Sequence, residues 1–148
     1  MTFTPVSTTT AAAVLPALTQ QLHRFFHHLD ERRYDEMLDL FTDDCRWLRQ
    51  GQWLDGKPSV RRALETRPAD VETRHVMTNA FVAAADADSA TVEAYMTAYR
   101  HPTGSADSVA QVAGPLRFNL TTTVFRRDAG HDWRIAEQRM VAVMSFTA

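Results

Sequence analysis

Thr73-Arg74-His75-Val76-Met77-Thr78-Asn79-Ala80-Phe81-Val82 opens the first of four long extended segments that fill the second half of the chain. β-Branched and aromatic residues recur through it, and the turn-forming run Ala85-Asp86-Ala87-Asp88-Ser89 stops it. This strand is predicted over about 73–84, and three more over about 90–100, 116–127 and 133–146. Short turns join most of them. The exception runs from His101 to Pro115, with Pro102, Gly104 and Gly114, and is a candidate mouth loop.

Upstream, the periodicity changes. Leu15, Leu18, Leu22, Phe25, Phe26 and Leu29 recur at three- and four-residue spacing, the stripe of an amphipathic helix. Its start is predicted between Ala11 and Pro16, with Pro16 tolerated in the first turn, and its end near Glu31-Arg32-Arg33. A shorter helix is expected over Tyr34 to Phe41, then a turn at Thr42-Asp43-Asp44. Cys45 to Arg49 and Gln52 to Leu54 read as a hairpin about Gln50-Gly51, and Ser59 to Glu65 as a third helix. Helices followed by a long antiparallel meander give an α+β fold, the helices covering one face of a curved sheet. Residues 1–12 are expected to form a flexible tail and 13–148 a single domain.

Composition narrows the function. At 148 residues, 45% hydrophobic and 23% charged, the chain has the balance of one globular domain. A net charge of −2 without blocks of like charge gives no footprint for nucleic acid. A single cysteine, Cys45, excludes an internal disulfide and suits a reducing compartment. It lies in an apolar strand pattern and is expected to be buried and inert. No apolar run approaches the length of a membrane span, and Ala11 to Leu15 lacks the flanks of a signal peptide. A cytoplasmic protein with neither membrane nor nucleic-acid partner is expected.

Alternation through the first long strand sets His75, Met77, Asn79 and Phe81 on one face. An imidazole among apolar residues is the default acid or base of a small-molecule pocket. Asp30 lies on the shoulder of the first helix's stripe near Phe26, placed to orient the ring of His75. Two plainer readings stand beside this one: a structural histidine–carboxylate pair under the sheet, and Asp30 capping a turn. Tyr95 and His101, in the next strand, point toward the same region; His101, beside Pro102, also reads as surface. His23 and His27 are one helical turn apart, but no third ligand is specified, so no metal is expected. The later strands are apolar on both faces. The helices cover one side, and a second copy is expected to cover the other, giving a homodimer or higher oligomer.

Several segments together carry a resemblance. Leu29-Asp30-Glu31-Arg32-Arg33-Tyr34-Asp35, Leu40-Phe41-Thr42-Asp43-Asp44, Gly56, Thr73-Arg74-His75 with Thr78-Asn79, and Trp133-Arg134-Ile135 follow one another as in the nuclear transport factor 2-like superfamily, the SnoaL-like or cystatin-like cone. The resemblance implies a sheet wrapped around helices with a pocket at the open end. Members include dehydratases, isomerases, polyketide cyclases, β subunits of ring-hydroxylating dioxygenases and binding modules. Scytalone dehydratase is similar in using an Asp at the end of the first helix with two strand histidines. Asp30 and His75 fall on that pattern and His101 near it. The tyrosines that hold its catalytic water are not matched, since Leu29, Trp47 and Leu48 stand in the corresponding regions. The base of ketosteroid isomerase would fall near Arg49, which cannot abstract a proton.

The resemblance therefore implies a cofactor-independent acid–base enzyme acting on a small, largely apolar molecule. His75 would be base and acid, with Asp30 orienting it. His101, Asn79 and Tyr95 would orient the ligand, and Met77, Phe81, Phe26 and Trp47 would wall it. The alternatives are a non-catalytic protein like a dioxygenase β subunit, which the segment from Leu29 to Tyr34 favours and which would need an iron-containing α partner, and a module that only binds a metabolite.

Overall fold

The computed structural model describes residues 5–104, 108–128 and 130–147. Three helices, α1 (Thr8–Asp30), α2 (Tyr34–Asp39) and α3 (Gly56–Glu65), accompany six strands. The strands are β1 (Phe41–Arg49), β2 (Gln52–Asp55), β3 (Val71–Ala85), β4 (Ser89–Pro102), β5 (Arg117–Arg126) and β6 (Arg134–Ser145). They form one curved sheet in the order β2-β1-β6-β5-β4-β3. The expected α+β architecture is what the chain adopts.

α1 begins ahead of the predicted start because Ser7 caps it, its Oγ accepting from the Thr10 N–H at 3.1 Å. Its stripe buries Leu18, Leu22, Phe25, Phe26 and Leu29 against Phe41, Trp47, Met96, Phe125 and Ile135. One prediction fails nearby. Thr42-Asp43-Asp44 is not a turn but part of β1, because Phe41 and Cys45 on either side are fully buried and the strand must reach both. The four long strands form the expected antiparallel meander, but the sheet is not antiparallel throughout: β1 lies parallel to β6, with Trp47 opposite Gln138.

A bulge in β3 corrects a further expectation. Thr78 pairs with Tyr95 and Phe81 with Glu93, so Asn79 and Ala80 oppose a single residue of β4. Asn79 takes the left-handed conformation at φ 58°, which asparagine tolerates better than most residues. The extra residue flips the alternation. His75 and Met77 face inward, but beyond the bulge Ala80 and Val82 take the inner side and Phe81, 52% exposed, the outer one.

The outer face carries exposed Val76, Phe81, Tyr95, Leu120, Val141 and Val143. Leu120 sits opposite both Tyr95 and Val141, so these side chains form a continuous band across three strands. No described helix is long and apolar enough to cross a membrane.

Cys45 is fully buried, and burial pushes its thiol up to about 11 from 9.0. At neutral pH it is a packing residue, not a nucleophile. Between pH 9 and 11 the unfolded chain loses this proton while the native state keeps it, so the native state binds more protons and stability falls as pH rises. The expected loss is about 2–3 kcal/mol. Urea unfolding of native protein and Cys45→Ala across that range checks it; the variant should lose less, and parallel slopes would refute the assignment.

Candidate active site

The site is built where α1 ends. Past Asp30 the chain turns through Arg32, at φ 56°, and the Arg33 N–H donates to the His28 carbonyl at 2.8 Å. A left-handed arginine is uncommon, and its side chain is tied down: Nη2 donates to the Val71 carbonyl at 2.8 Å. Arg67 adds a second tie, Nη1 donating to the Leu29 carbonyl at 2.6 Å and Nη2 to Thr73 Oγ1 at 2.7 Å. Two cations thus satisfy carbonyls around the negative end of α1 and bind it to the start of β3.

That junction holds Asp30 against His75. The backbone N–H of His75 donates to Asp30 Oδ2 at 2.9 Å, and Thr73 Oγ1 donates to Oδ1 at 3.1 Å. His75 Nδ1 lies 2.6 Å from Oδ1. An ionised carboxylate only accepts, so Nδ1 carries a proton, and in the neutral imidazole Nε2 is the nitrogen that holds the lone pair. Both side chains are nearly enclosed, at 9% and 8% exposed. Phe26 backs the imidazole, ring centroids 5.2 Å apart. The ring is thereby fixed in tautomer, rotation and depth.

His75 forms part of the wall of a cavity of about 700 Å³. Leu116 and Met140 supply accessible apolar surface over the buried Trp47, Met96 and Ala98, and Gln50, Thr66, Thr73 and Asn119 are among its neutral polar groups. Trp47 is fully buried, its indole N–H directed at Met140 Sδ at 3.1 Å. Five arginines also line it: Arg32, Arg49, Arg67, Arg100 and Arg117. No group of three or more metal-ligating side chains occurs among the described residues.

The predicted site residues divide. His75 and Trp47 line the cavity, and Asp30 and Phe26 support His75 from behind it. Met77 packs on the core and does not reach the cavity wall. Asn79 and Phe81 are turned away by the bulge. Tyr95 is on the outer face, 40% exposed and against Phe118 at 5.1 Å, because its neighbours Ala94 and Met96 take the inner side. The same alternation puts His101 outside and Arg100 inside. His101 instead lines a smaller cavity of about 410 Å³, Nδ1 donating to the Pro102 carbonyl at 2.9 Å and Nε2 lying 3.5 Å from Glu72. Arg139 pairs with Glu137 at 2.7 Å.

Sequence reasoning missed Thr73, Asn119 and the inward role of the arginines. One signal was present. Ala94, Met96 and Ala98 alternate with Glu93, Tyr95, Thr97 and Tyr99, and extending that phase turns Arg100 inward.

A curved sheet filled by a long helix, with a histidine–carboxylate pair beside a cavity, defines a cone of the nuclear transport factor 2-like superfamily. The chain belongs to the SnoaL-like domain family, whose model matches residues 12–139. Solved structures agree in fold. A candidate scytalone dehydratase from Novosphingobium aromaticivorans superposes with a TM-score of 0.73 at 16% identity, covering 93% of this chain and 90% of that one. A type 2 hexachlorocyclohexane dehydrochlorinase gives 0.71 at 15% identity over 93% and 95%. A protein with a cystatin-like fold from Nostoc punctiforme gives 0.70 at 17% over 94% and 95%. No curated protein sequence matches the chain significantly.

Proposed function

We propose that this protein is a cofactor-independent acid–base enzyme of the SnoaL-like type, acting on a small organic molecule in the cavity that His75 lines. The observation that carries this reading is the buried pair: Asp30 holds the Nδ1 proton at 2.6 Å, which leaves His75 Nε2 as the free base. Nε2 takes a proton from a carbon acidified by a neighbouring carbonyl, and Asp30 stabilises the imidazolium that forms. Returned to a leaving oxygen, the proton completes a dehydration; returned to a second carbon, an isomerisation; returned to the oxygen of a newly closed ring, a cyclisation. Two structural neighbours are named for eliminations, the candidate dehydratase and the dehydrochlorinase, which agrees with this class.

The test is solvent exchange. A panel of β-hydroxy and β,γ-unsaturated carbonyl compounds is incubated in D2O with the native protein and with His75→Gln, and deuterium uptake is followed by mass spectrometry. At least one compound should exchange or react faster with native protein alone. If no compound distinguishes the two proteins, the enzyme reading is abandoned in favour of a binding module.

The assembly that fits this reading is a homo-oligomer over the band of Val76, Tyr95, Leu120 and Val141, which is exposed in a single chain. Light scattering at micromolar concentration should give at least twice the chain mass, falling on Leu120→Lys. A monomeric native protein sinks this part of the reading.

A further inference from the structure

We propose that the ligand of the His75 cavity is an organic carboxylate, its anionic group received by Arg49 with Arg100 and Arg117 beside it, and its apolar body set against Leu116 and Met140. The location of the reacting carbon rests on the acid–base reading; the recognition of the anion rests on the arginines.

The cavity's charge is one-sided. Its wall holds five arginines and no carboxylate. The carboxylate behind His75, Asp30, already accepts from three donors. Two of the arginines are engaged structurally: Arg32 and Arg67 donate to the carbonyls of Val71 and Leu29. The other three are not. The guanidinium groups of Arg49, Arg100 and Arg117 make no ion pair or hydrogen bond with any described residue; Arg49 lies over the Trp47 ring, and Arg100 and Arg117 are exposed at the cavity. Elsewhere Arg46 pairs with Asp55, Arg61 with Asp35, and Arg74 with Glu72, while the unpaired Arg62 and Arg134 are exposed to solvent; Arg49 differs in being half-buried.

Position makes this deliberate. Arg117 pairs across the sheet with Ala98, and Arg100 follows Ala98 at the inner phase of β4, so both stand on the concave side. Arg49 follows Trp47 at the inner phase of β1 and is half-buried. Its neighbours are the Trp47 ring, 5.5 Å from the guanidinium carbon, and the like-charged Arg67. Burial first, then Arg67, holds its pKa below the ordinary arginine value, yet a guanidinium stays charged at neutral pH. A half-buried cation without a counter-charge is costly in the free protein. An incoming anion removes that cost, and the concave wall concentrates the field that attracts it.

The rest of the cavity selects the class of anion. Leu116 and Met140, partly accessible in the lining, need an organic body to cover them, which a free inorganic ion lacks. A guanidinium fork matches the two oxygens of a carboxylate. The same cations favour the negative charge that builds on the ligand when His75 removes a proton, so binding and chemistry draw on one field.

The experiment compares hydrocinnamate and 2-naphthoate with their neutral amides by isothermal titration calorimetry. The acids should bind at least about tenfold more tightly than the amides, the ratio expected of one charge-assisted contact. The preference should shrink at high salt. Arg49→Gln should bring acid and amide close to parity by weakening the acid far more than the amide; Arg49→Lys should keep part of the preference. No acid preference in the native protein, whether through equal binding or none, overturns the proposal, as does a preference untouched by Arg49→Gln. The native comparison needs no variant to fold. His75→Gln should keep the preference, which separates this proposal from the acid–base reading; loss of preference there would move anion recognition to the imidazole and overturn the role of Arg49.

Discussion

His75→Gln is expected to leave the fold intact and to abolish the exchange proposed for His75, and Asp30→Asn is expected to slow it by about a hundred- to ten-thousandfold. The second effect follows from counting donors. Asp30 accepts the His75 backbone N–H on one oxygen and His75 Nδ1 on the other. Asparagine offers one accepting oxygen and one donating NH2 group. If the oxygen keeps the backbone N–H, the NH2 faces Nδ1 and forces its proton to Nε2, which is then no longer a base. If the oxygen turns to Nδ1, the buried backbone N–H meets a donor, at a cost of about 1–3 kcal/mol. Nitrogen-15 NMR distinguishes these states without a substrate. Native protein should show the Nδ1–H tautomer of His75, and Asp30→Asn should convert much of it to Nε2–H or lose stability by the stated amount. A native Nε2–H tautomer would remove the base and the mechanism with it.

The pair was legible in the sequence because both members sit in strongly periodic elements. Helical spacing from Leu15 to Leu29 sets the face on which Phe26 and Asp30 lie, and two-residue alternation sets the side of His75. All four long strands fell close to their predicted limits for the same reason. What failed was extrapolation along β3. Alternation holds only while pairing is regular, and the bulge at Asn79 and Ala80 inserts one residue. His75 lies before it and Phe81 after it, so one prediction stands and the other inverts.

The arginines were hidden for a different reason. A sequence shows sixteen lysines and arginines against eighteen acidic residues, nearly balanced, and says nothing of which cation lacks a partner. Partnership is a tertiary property. Arg46 and Arg49 stand three apart on one strand, yet Arg46 meets Asp55 across the hairpin while Arg49 turns inward beside Trp47. The same fact alters the expected ligand: an apolar wall alone suggests an apolar molecule, but an apolar wall with unpaired cations suggests an amphipathic anion.

The largest effect on stability is expected at Phe25. It is fully buried on α1, and its ring meets three others at steep angles: Phe26 at 5.0 Å, Trp47 at 5.4 Å and Phe41 at 5.5 Å. Truncation to alanine loses the transfer energy of the ring and leaves a cavity that a helix on one side and a sheet on the other cannot readily close; such changes cost about 3–5 kcal/mol. Each edge-to-face contact adds about 0.5–1.5 kcal/mol beyond burial, which places Phe25→Ala toward the upper end. Against a total stability of about 5–15 kcal/mol the variant is marginal, with a melting temperature lower by about 8–20 °C. Phe25→Leu, which keeps most of the volume, should lose less than half as much. Urea unfolding with an unchanged m value reads both. A loss under about 1 kcal/mol for Phe25→Ala would mean that the aromatic cluster does not hold α1 to the sheet. The consequence reaches the site, because Phe26 is the next residue and the surface on which the His75 ring rests. A folded Phe25→Ala protein should therefore also show a less uniform His75 tautomer signal than native protein, since the packing that fixes the imidazole would be loosened from below.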